Sequence, residues 1–142
     1  MKDIVKILSL ICLVAQISCS IKNEEIPEKE MKNNVEFVGN IISFQKSSNH
    51  AFGIIRLKII KKNIKNFDEI LDKGIYPYKI KDKIAELYCT VSVDRKVGET
   101  VKVVSNDGVV YYNPSNSREE GSLFIIDDPY NIDFVKMNTI FR

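Results

Sequence analysis

Apolar and polar residues alternate along most of the chain from residue 35 onward, which is the pattern of half-buried β-strands. In segment 35–44 the apolar positions recur at every second residue, and Gly39 near its centre predicts a bend or bulge. Segment 51–60 also alternates, with aliphatic side chains toward a core and basic ones such as Arg56 toward water. A polar turn joins the two segments, so we predict a long β-hairpin.

Four later segments have the composition of strands: 85–93, 100–104, 109–112 and 123–126. The dipeptide Asp107-Gly108 predicts a tight hairpin between the second and the third of these. In the first, Cys89 falls on the inward face, while Glu86 and Tyr88 fall on the opposite face.

Two regions break the strand pattern. Residues 66–74 predict a short helix, because Asn66 or Asp68 can cap it and Gly74 can end it. Residues 113–121 form a polar stretch with proline and serine and predict a loop. The tail from residue 127 gives no clear assignment.

These elements predict a mainly β fold with about six strands and one short helix, in a single domain spanning residues 35–142. Strands in meander order form either a small antiparallel barrel or a two-sheet sandwich. A long hairpin, a helical insertion and a strand opened by the turn at 97–99 resemble an OB-fold. The sandwich is the alternative.

The first 18 residues have a different character. Lys2 and Lys6 precede an apolar run over 7–17, in which Ser9 and Gln16 are the polar residues. This run is shorter than the roughly 20 residues that a membrane-spanning helix needs. A basic start, a short apolar run and a small residue at its end are the three parts of an export signal.

The dipeptide Ser18-Cys19 follows this run, and the segment resembles a bacterial lipoprotein signal peptide with its lipobox. Gln16 stands where the motif prefers leucine, as in the relaxed lipobox of the Bacteroidetes. The resemblance implies removal of residues 1–18, with cleavage between Ser18 and Cys19, and lipidation of Cys19. An ordinary cysteine after a conventional cleavage site and a buried core helix are the alternatives.

Cys12 is a poorer acceptor, because no small residue precedes it at the cut. Residues 19–34 are rich in charge and poor in apolar side chains, which predicts a flexible tether. The resemblance therefore implies a location in the cell envelope, with the lipid anchor in the outer membrane.

The 142-residue chain carries 21 basic and 19 acidic residues, a net charge of +2. This balance gives no electrostatic reason to expect nucleic acid as a partner. If Cys12 leaves with the signal and Cys19 is lipidated, Cys89 is the remaining cysteine, so no intramolecular disulfide is expected.

Few residues suggest catalysis or a cofactor. His50 is the single histidine, which excludes a multi-histidine metal site and a conventional triad within one chain. Cys89 is interpreted as a small buried hydrophobe, with a nucleophile as the alternative. The carboxylates of segments 119–120 and 127–133 lack the spacing of a calcium loop, so no metal and no cofactor are predicted.

Aromatic residues are the strongest candidates for ligand contact. They form a possible stacking surface for a sugar or a peptide, consisting of Tyr76, Tyr78, Tyr88, Tyr111 and Tyr112. The alternative is that they are half-buried strand residues with solvated hydroxyls.

The sequence thus leads to the expectation of a lipid-anchored envelope protein with a non-catalytic binding domain. Its expected partners are the membrane, through Cys19, and an envelope protein or glycan. A small envelope hydrolase, and an immunity or inhibitor protein, are the alternative functions.

Overall fold

The computed structural model describes residues 31–48, 51–116 and 119–142. Among these residues the elements, in chain order, are β1 (Glu36–Lys46), β2 (Phe52–Lys62), β3 (Tyr78–Lys81), β4 (Ile84–Thr90), β5 (Thr100–Val104), a 3₁₀ turn (Ser105–Asp107), β6 (Val109–Tyr112), β7 (Glu119–Ser122) and α1 (Pro129–Asn138). The strands form one antiparallel sheet in the order β3-β4-β2-β1-β5-β6-β7, which curls into a half-barrel. The predicted mainly β fold of the small-barrel type is confirmed.

The predicted hairpin of β1 and β2 forms and lies at the centre of this sheet. Its register shifts twice, between Val38 and Gly39 and between Ile41 and Ser43. Such bulges bend a strand and increase its twist, so they curl the sheet. At Gly53 a Cβ atom would lie 2.4 Å from the carbonyl oxygen of Gln45, so the two strands approach too closely there for any side chain.

The concave side of the sheet holds the main core. Cross-strand pairs such as Ile41 and Leu57 point into it, and Cys89 is buried there as predicted. The other fully buried aliphatic side chains of this core are Val35, Ile55, Ile80, Ala85, Leu87, Val91, Val101, Val103 and Val110. The strand alternation in the sequence therefore identified the inner face correctly as far as residue 91. The predicted strand 85–93 is too long, because β4 ends at Thr90 and Val93 is 85% exposed.

Two isolated bridges tie the chain across the opening between the two edges of the sheet. Phe67 pairs with Ile80 of the edge strand β3, and Ile75 pairs with Ile126, which follows β7. Ile75 and Ile126 exchange two backbone hydrogen bonds of 2.9 Å. The segment 67–75 thus links both edges of the half-barrel.

The helix predicted at 66–74 is wrong. Phe67 is 3% exposed in the core whereas Ile70 is 94% exposed, so the two residues do not share one apolar face. Pairing of Phe67 with Ile80 holds the start of the segment extended, and Gly74 adopts a positive φ of 79° in a bend. Tertiary pairing has overridden the local helix signals.

The helix of the fold lies instead in the tail that had no assignment. It starts at Pro129, and the side chain of Asp128 accepts a 2.8 Å hydrogen bond from the amide of Asn131 as a cap. Strand β7 lies in the predicted loop, and of the predicted strand 123–126 only Ile126 pairs, as the isolated bridge to Ile75.

Helix α1 packs against the outer face of β2 and β4. This second apolar layer consists of Phe52, Ile54, Tyr88, Ile126 and Val135. The expectation that Arg56 faces water is therefore wrong: its side chain is 16% exposed and lies beneath the C-terminal segment.

Within the described ranges, no helix combines the length and the apolar character that crossing a bilayer requires.

Candidate functional site

A cleft of about 350 Å³ lies beside the edge strand β3. One wall is the irregular segment 68–76, and the other is the end of α1 with the tail after it. Apolar and aromatic side chains make up much of its lining, namely Ile70, Leu71, Ile75, Tyr76, Tyr78, Tyr88, Val135 and Phe141. A hollow of this size and composition is typical of a binding site.

An aromatic cluster supports the inner wall of the cleft. The ring centroids of Tyr76 and Tyr78 each lie 5.0 Å from that of Phe67, and Tyr78 lies 6.0 Å from Phe37. The Tyr78 hydroxyl donates a 2.8 Å hydrogen bond to Asn33, and burial raises the pKa of Tyr78 to about 12. The Tyr78 phenol therefore remains neutral at physiological pH.

Charged side chains of both signs line the cleft. Lys79 pairs with Asp68 at 2.7 Å, and Glu69 lies beside this pair. Lys136 and Arg142 extend the lining on the side of α1 and the tail. A partner that combines apolar side chains with polar groups or charges of both signs would therefore complement the cleft better than a strongly charged ligand.

Strand β3 borders the cleft, but its outer edge is covered. The N–H and C=O groups of Ile80 bond to Phe67, on the side of β3 away from β4. Backbone groups point to alternate sides along a strand, so those of Tyr78, two residues earlier, point the same way. The carbonyl of Pro77, which bonds to the amide of Tyr88 on β4, fits this alternation. Tyr78 as a whole is 1% exposed, so these backbone groups are not open to an added strand.

A buried carboxylate holds the second wall of the cleft in place. Glu86 on β4 is 0% exposed. One of its oxygens accepts hydrogen bonds from Arg56 Nε at 3.0 Å and from the amide of Ile140 at 3.2 Å. The other accepts from the Tyr88 hydroxyl at 3.0 Å and from Thr139 Oγ1 at 2.6 Å.

Arg56 extends this network to the helix. It donates to the carbonyl oxygen of Asn138 at 2.8 Å, and the side chain of Asn138 accepts from Gln45 on β1. Four hydrogen bonds compensate the burial of the carboxylate, which is otherwise strongly unfavourable. The network thereby fixes the end of α1 and the tail against the sheet.

The structure brings three of the five predicted tyrosines together. Tyr76, Tyr78 and Tyr88 line the cleft, and all three are largely buried. Tyr111 and Tyr112 lie on β6, away from the cleft, with Tyr111 half-buried and Tyr112 buried. The five residues therefore do not form one continuous surface.

Tyr112 belongs to a separate buried cluster. The guanidinium of Arg95 lies 4.1 Å from the centre of its ring, and the tyrosine hydroxyl lies 3.8 Å from the sulfur of Cys89. Arg95 pairs with Glu99 at 3.3 Å and with Glu119. The sequence had placed Arg95 in a polar turn, and no local pattern marks it as a buried cation.

Cys89 is a buried thiol. Desolvation raises its pKa from an ordinary value of 9.0 to about 12, so the thiol stays protonated at physiological pH. This protonation favours the interpretation of Cys89 as a small buried hydrophobe over that of a nucleophile. His50, Ser18 and Cys19 lie outside the described residues.

Carboxylates do not gather into a metal site in the described part of the chain. There, no group of three or more His, Cys, Asp or Glu side chains is placed to hold a metal ion. In segment 127–133, Asp128 serves as the cap of α1.

Comparison of the chain with protein-family models, with curated proteins and with solved structures finds no match. The geometry of the cleft and the sequence therefore carry the functional argument.

The Glu86 network predicts the effect of an isosteric change. Glu86→Gln should lower the free energy of unfolding by roughly 1.5–3 kcal/mol, because it weakens the charge-assisted hydrogen bonds to Arg56 and Thr139. Urea denaturation of residues 20–142 measures this. Glu120→Gln, the same change at an exposed site on β7, should stay within about 0.5 kcal/mol of wild type. Equal stability of both variants would contradict the structural role of Glu86.

The buried thiol predicts a loss of stability in alkali. In the unfolded chain Cys89 ionises near its ordinary pKa, but in the folded chain only near pH 12, so above pH 9 unfolding releases a proton. Between about pH 9 and pH 10 the wild type should lose about 1 kcal/mol more than Cys89→Ala. The measurement is urea denaturation at each pH on residues 20–142, which contain one cysteine. Parallel pH profiles for the two proteins would disprove the assignment.

Proposed function

We propose that this chain is a lipid-anchored protein of the cell envelope whose β-domain binds a partner in the cleft without catalysis. The observation that carries the binding role is the cleft itself, a hollow of about 350 Å³ with an apolar and aromatic lining. The location rests on the resemblance of the segment ending at Ser18-Cys19 to a lipoprotein signal.

The partner is an extended segment of an envelope protein. Apolar side chains of such a segment enter the apolar lining, and its polar groups meet the charged side chains at the rim. Ile70, which is 94% exposed at the cleft, is an apolar contact that a partner would cover. A glycan would use the aromatic wall alone, and the faces of Tyr76, Tyr78 and Tyr88 are largely buried.

The charged groups of the cleft favour binding over hydrolysis. Its carboxylates among the described residues are Asp68 and Glu69, and Asp68 is already paired with Lys79. The neutral thiol of Cys89 lies in the main core on the concave side of the sheet. These groups do not bring a nucleophile and a base together at the cleft.

Lipidation predicts a change in membrane partition. Cells that express the full chain should incorporate labelled fatty acid into the protein, and the product should enter the detergent phase with Cys19 as its first residue. Cys19→Ser should abolish both the label and the detergent partition. Cys12→Ser is the matched control, since it changes a thiol inside the segment that is removed. Label that survives in Cys19→Ser would refute the anchor.

The cleft predicts where the partner can be crosslinked. A photoreactive amino acid in place of Ile70 should give an adduct with an envelope protein in living cells. The control places the same amino acid at Val93, which is 85% exposed and lies away from the cleft. A protease-resistant adduct would indicate a glycan partner instead. Equal adducts at both positions, or none at Ile70, would count against the cleft as the binding site.

A further inference from the structure

The chain that precedes the sheet joins it at one end of the half-barrel. The amide of Asn34 bonds to the side chain of Asn106 at 2.8 Å, and the carbonyl of Val35 accepts from the amide of Ser105 at 3.0 Å. The amide of Glu36 bonds to the side chain of Asn63 at 2.9 Å. These bonds place residues 34–36 beside the end of β2 and beside the turn between β5 and β6.

Lysines are concentrated at this same end. Strand β2 finishes there, and its Lys58 pairs with Ile84, which also pairs with Lys81 at the turn between β3 and β4. We call this surface the basic end; its lysines are Lys58, Lys61, Lys62, Lys65, Lys81, Lys83 and Lys102.

The cross-strand register places two of these lysines on one face. Val38 of β1 pairs with Lys61 on one side and with Lys102 on the other. Paired residues share a face of the sheet, and neighbouring strands lie about 4.8 Å apart, so the two lysine Cα atoms are about 10 Å apart. A hollow of about 240 Å³ lies between them and includes Lys62.

The described carboxylates do not neutralise the positive charge of the basic end. Its carboxylates are Glu36, Asp82 and Asp107, three against seven lysines. Among the described residues, none of these seven ammonium groups forms an ion pair with a carboxylate. Lys62 donates to the backbone carbonyls of Lys65 and Asp82, which leaves its charge in place.

The opposite end of the half-barrel has no comparable excess of basic residues. The loops there carry four carboxylates and three basic groups among the described residues, namely Asp94, Glu99, Glu119, Glu120, Lys46, Arg95 and Lys96. The two ends therefore differ in charge, although the whole chain is close to neutral at +2.

We propose that the basic end rests on the anionic lipid headgroups of the membrane that holds the anchor. This inference deepens the proposed function, because it takes the lipid on Cys19 as the reason that the domain lies at a bilayer. Twelve peptide units separate Cys19 from Met31, so an extended chain would span at most about 40 Å between them. Residues 34–36, on the side of the domain from which the anchor segment comes, lie beside the basic end, and the charge of this end complements the headgroups.

The test uses residues 20–142, which include every described residue and carry no acyl chain. Their partition onto vesicles of phosphatidylglycerol and phosphatidylcholine is measured by co-sedimentation, against vesicles of phosphatidylcholine alone. We expect binding only to the anionic vesicles, and much less of it at about 0.5 M salt than at about 0.05 M. Lys61→Gln with Lys102→Gln should lower the partition coefficient about 25-fold, at roughly fivefold for each lysine.

The matched control is Lys46→Gln with Lys96→Gln, which removes the same charge at exposed positions of the opposite end. The control should change partition less than about twofold, because those lysines lie beyond the screening length from the membrane surface. Circular dichroism checks that both double variants keep their β structure.

Several results would overturn the proposal. Equal binding to neutral vesicles would exclude headgroup recognition, and an equal loss in the control would show that only total charge matters. Tighter binding to a DNA duplex than to anionic vesicles would assign the basic end to nucleic acid. The assay contains no acyl chain, so a failure of Cys19 lipidation and a failure of headgroup binding are seen in separate experiments.

Discussion

The buried carboxylate of Glu86 is the interaction on which the cleft depends. It lies on β4, but its hydrogen-bond donors come from β2, from β4 itself and from the tail at residues 139–140. A buried charge is tolerated when its oxygens are satisfied, and here each oxygen accepts two hydrogen bonds. The donors can meet at Glu86 only when α1 lies across the outer face of the sheet. The network therefore selects one position for the helix and so forms one wall of the cleft.

The other wall follows from the curl of the sheet. Two register shifts in the hairpin of β1 and β2 bend the sheet until its edges come within reach of one connecting segment. Phe67 binds one edge through Ile80, and Ile75 reaches the chain after the other edge at Ile126. The residues between these two bridges pair with neither edge of the sheet. They form the irregular wall of the cleft. The cleft is thus a consequence of a barrel that does not close.

The sequence was informative where one strand face meets the core. Alternation correctly identified the hairpin and the inward position of Cys89, Gly39 marked the bulge, and Asp107-Gly108 marked the turn between β5 and β6. It could not show what covers the outer face. Helix α1 buries only Val135 fully and leaves Met137 69% exposed, so its sequence has no wide apolar stripe to reveal it. When α1 is not known, the alternation of β2 and β4 places Glu86 and Arg56 among ordinary exposed strand residues.

The site was harder to foresee, since its walls come from segments 68–79 and 135–142, which are far apart in the chain. The contact between these two segments also brings the cleft close to the basic end. A hollow of about 220 Å³ shares Asp68, Lys79 and Arg142 with the cleft and extends to Lys81 at the basic end. If the domain rests on its basic end, as proposed, the cleft lies beside the membrane surface and not at the end of the domain farthest from the membrane. In this proposed arrangement, the protein segment proposed to enter the cleft would itself lie close to the bilayer.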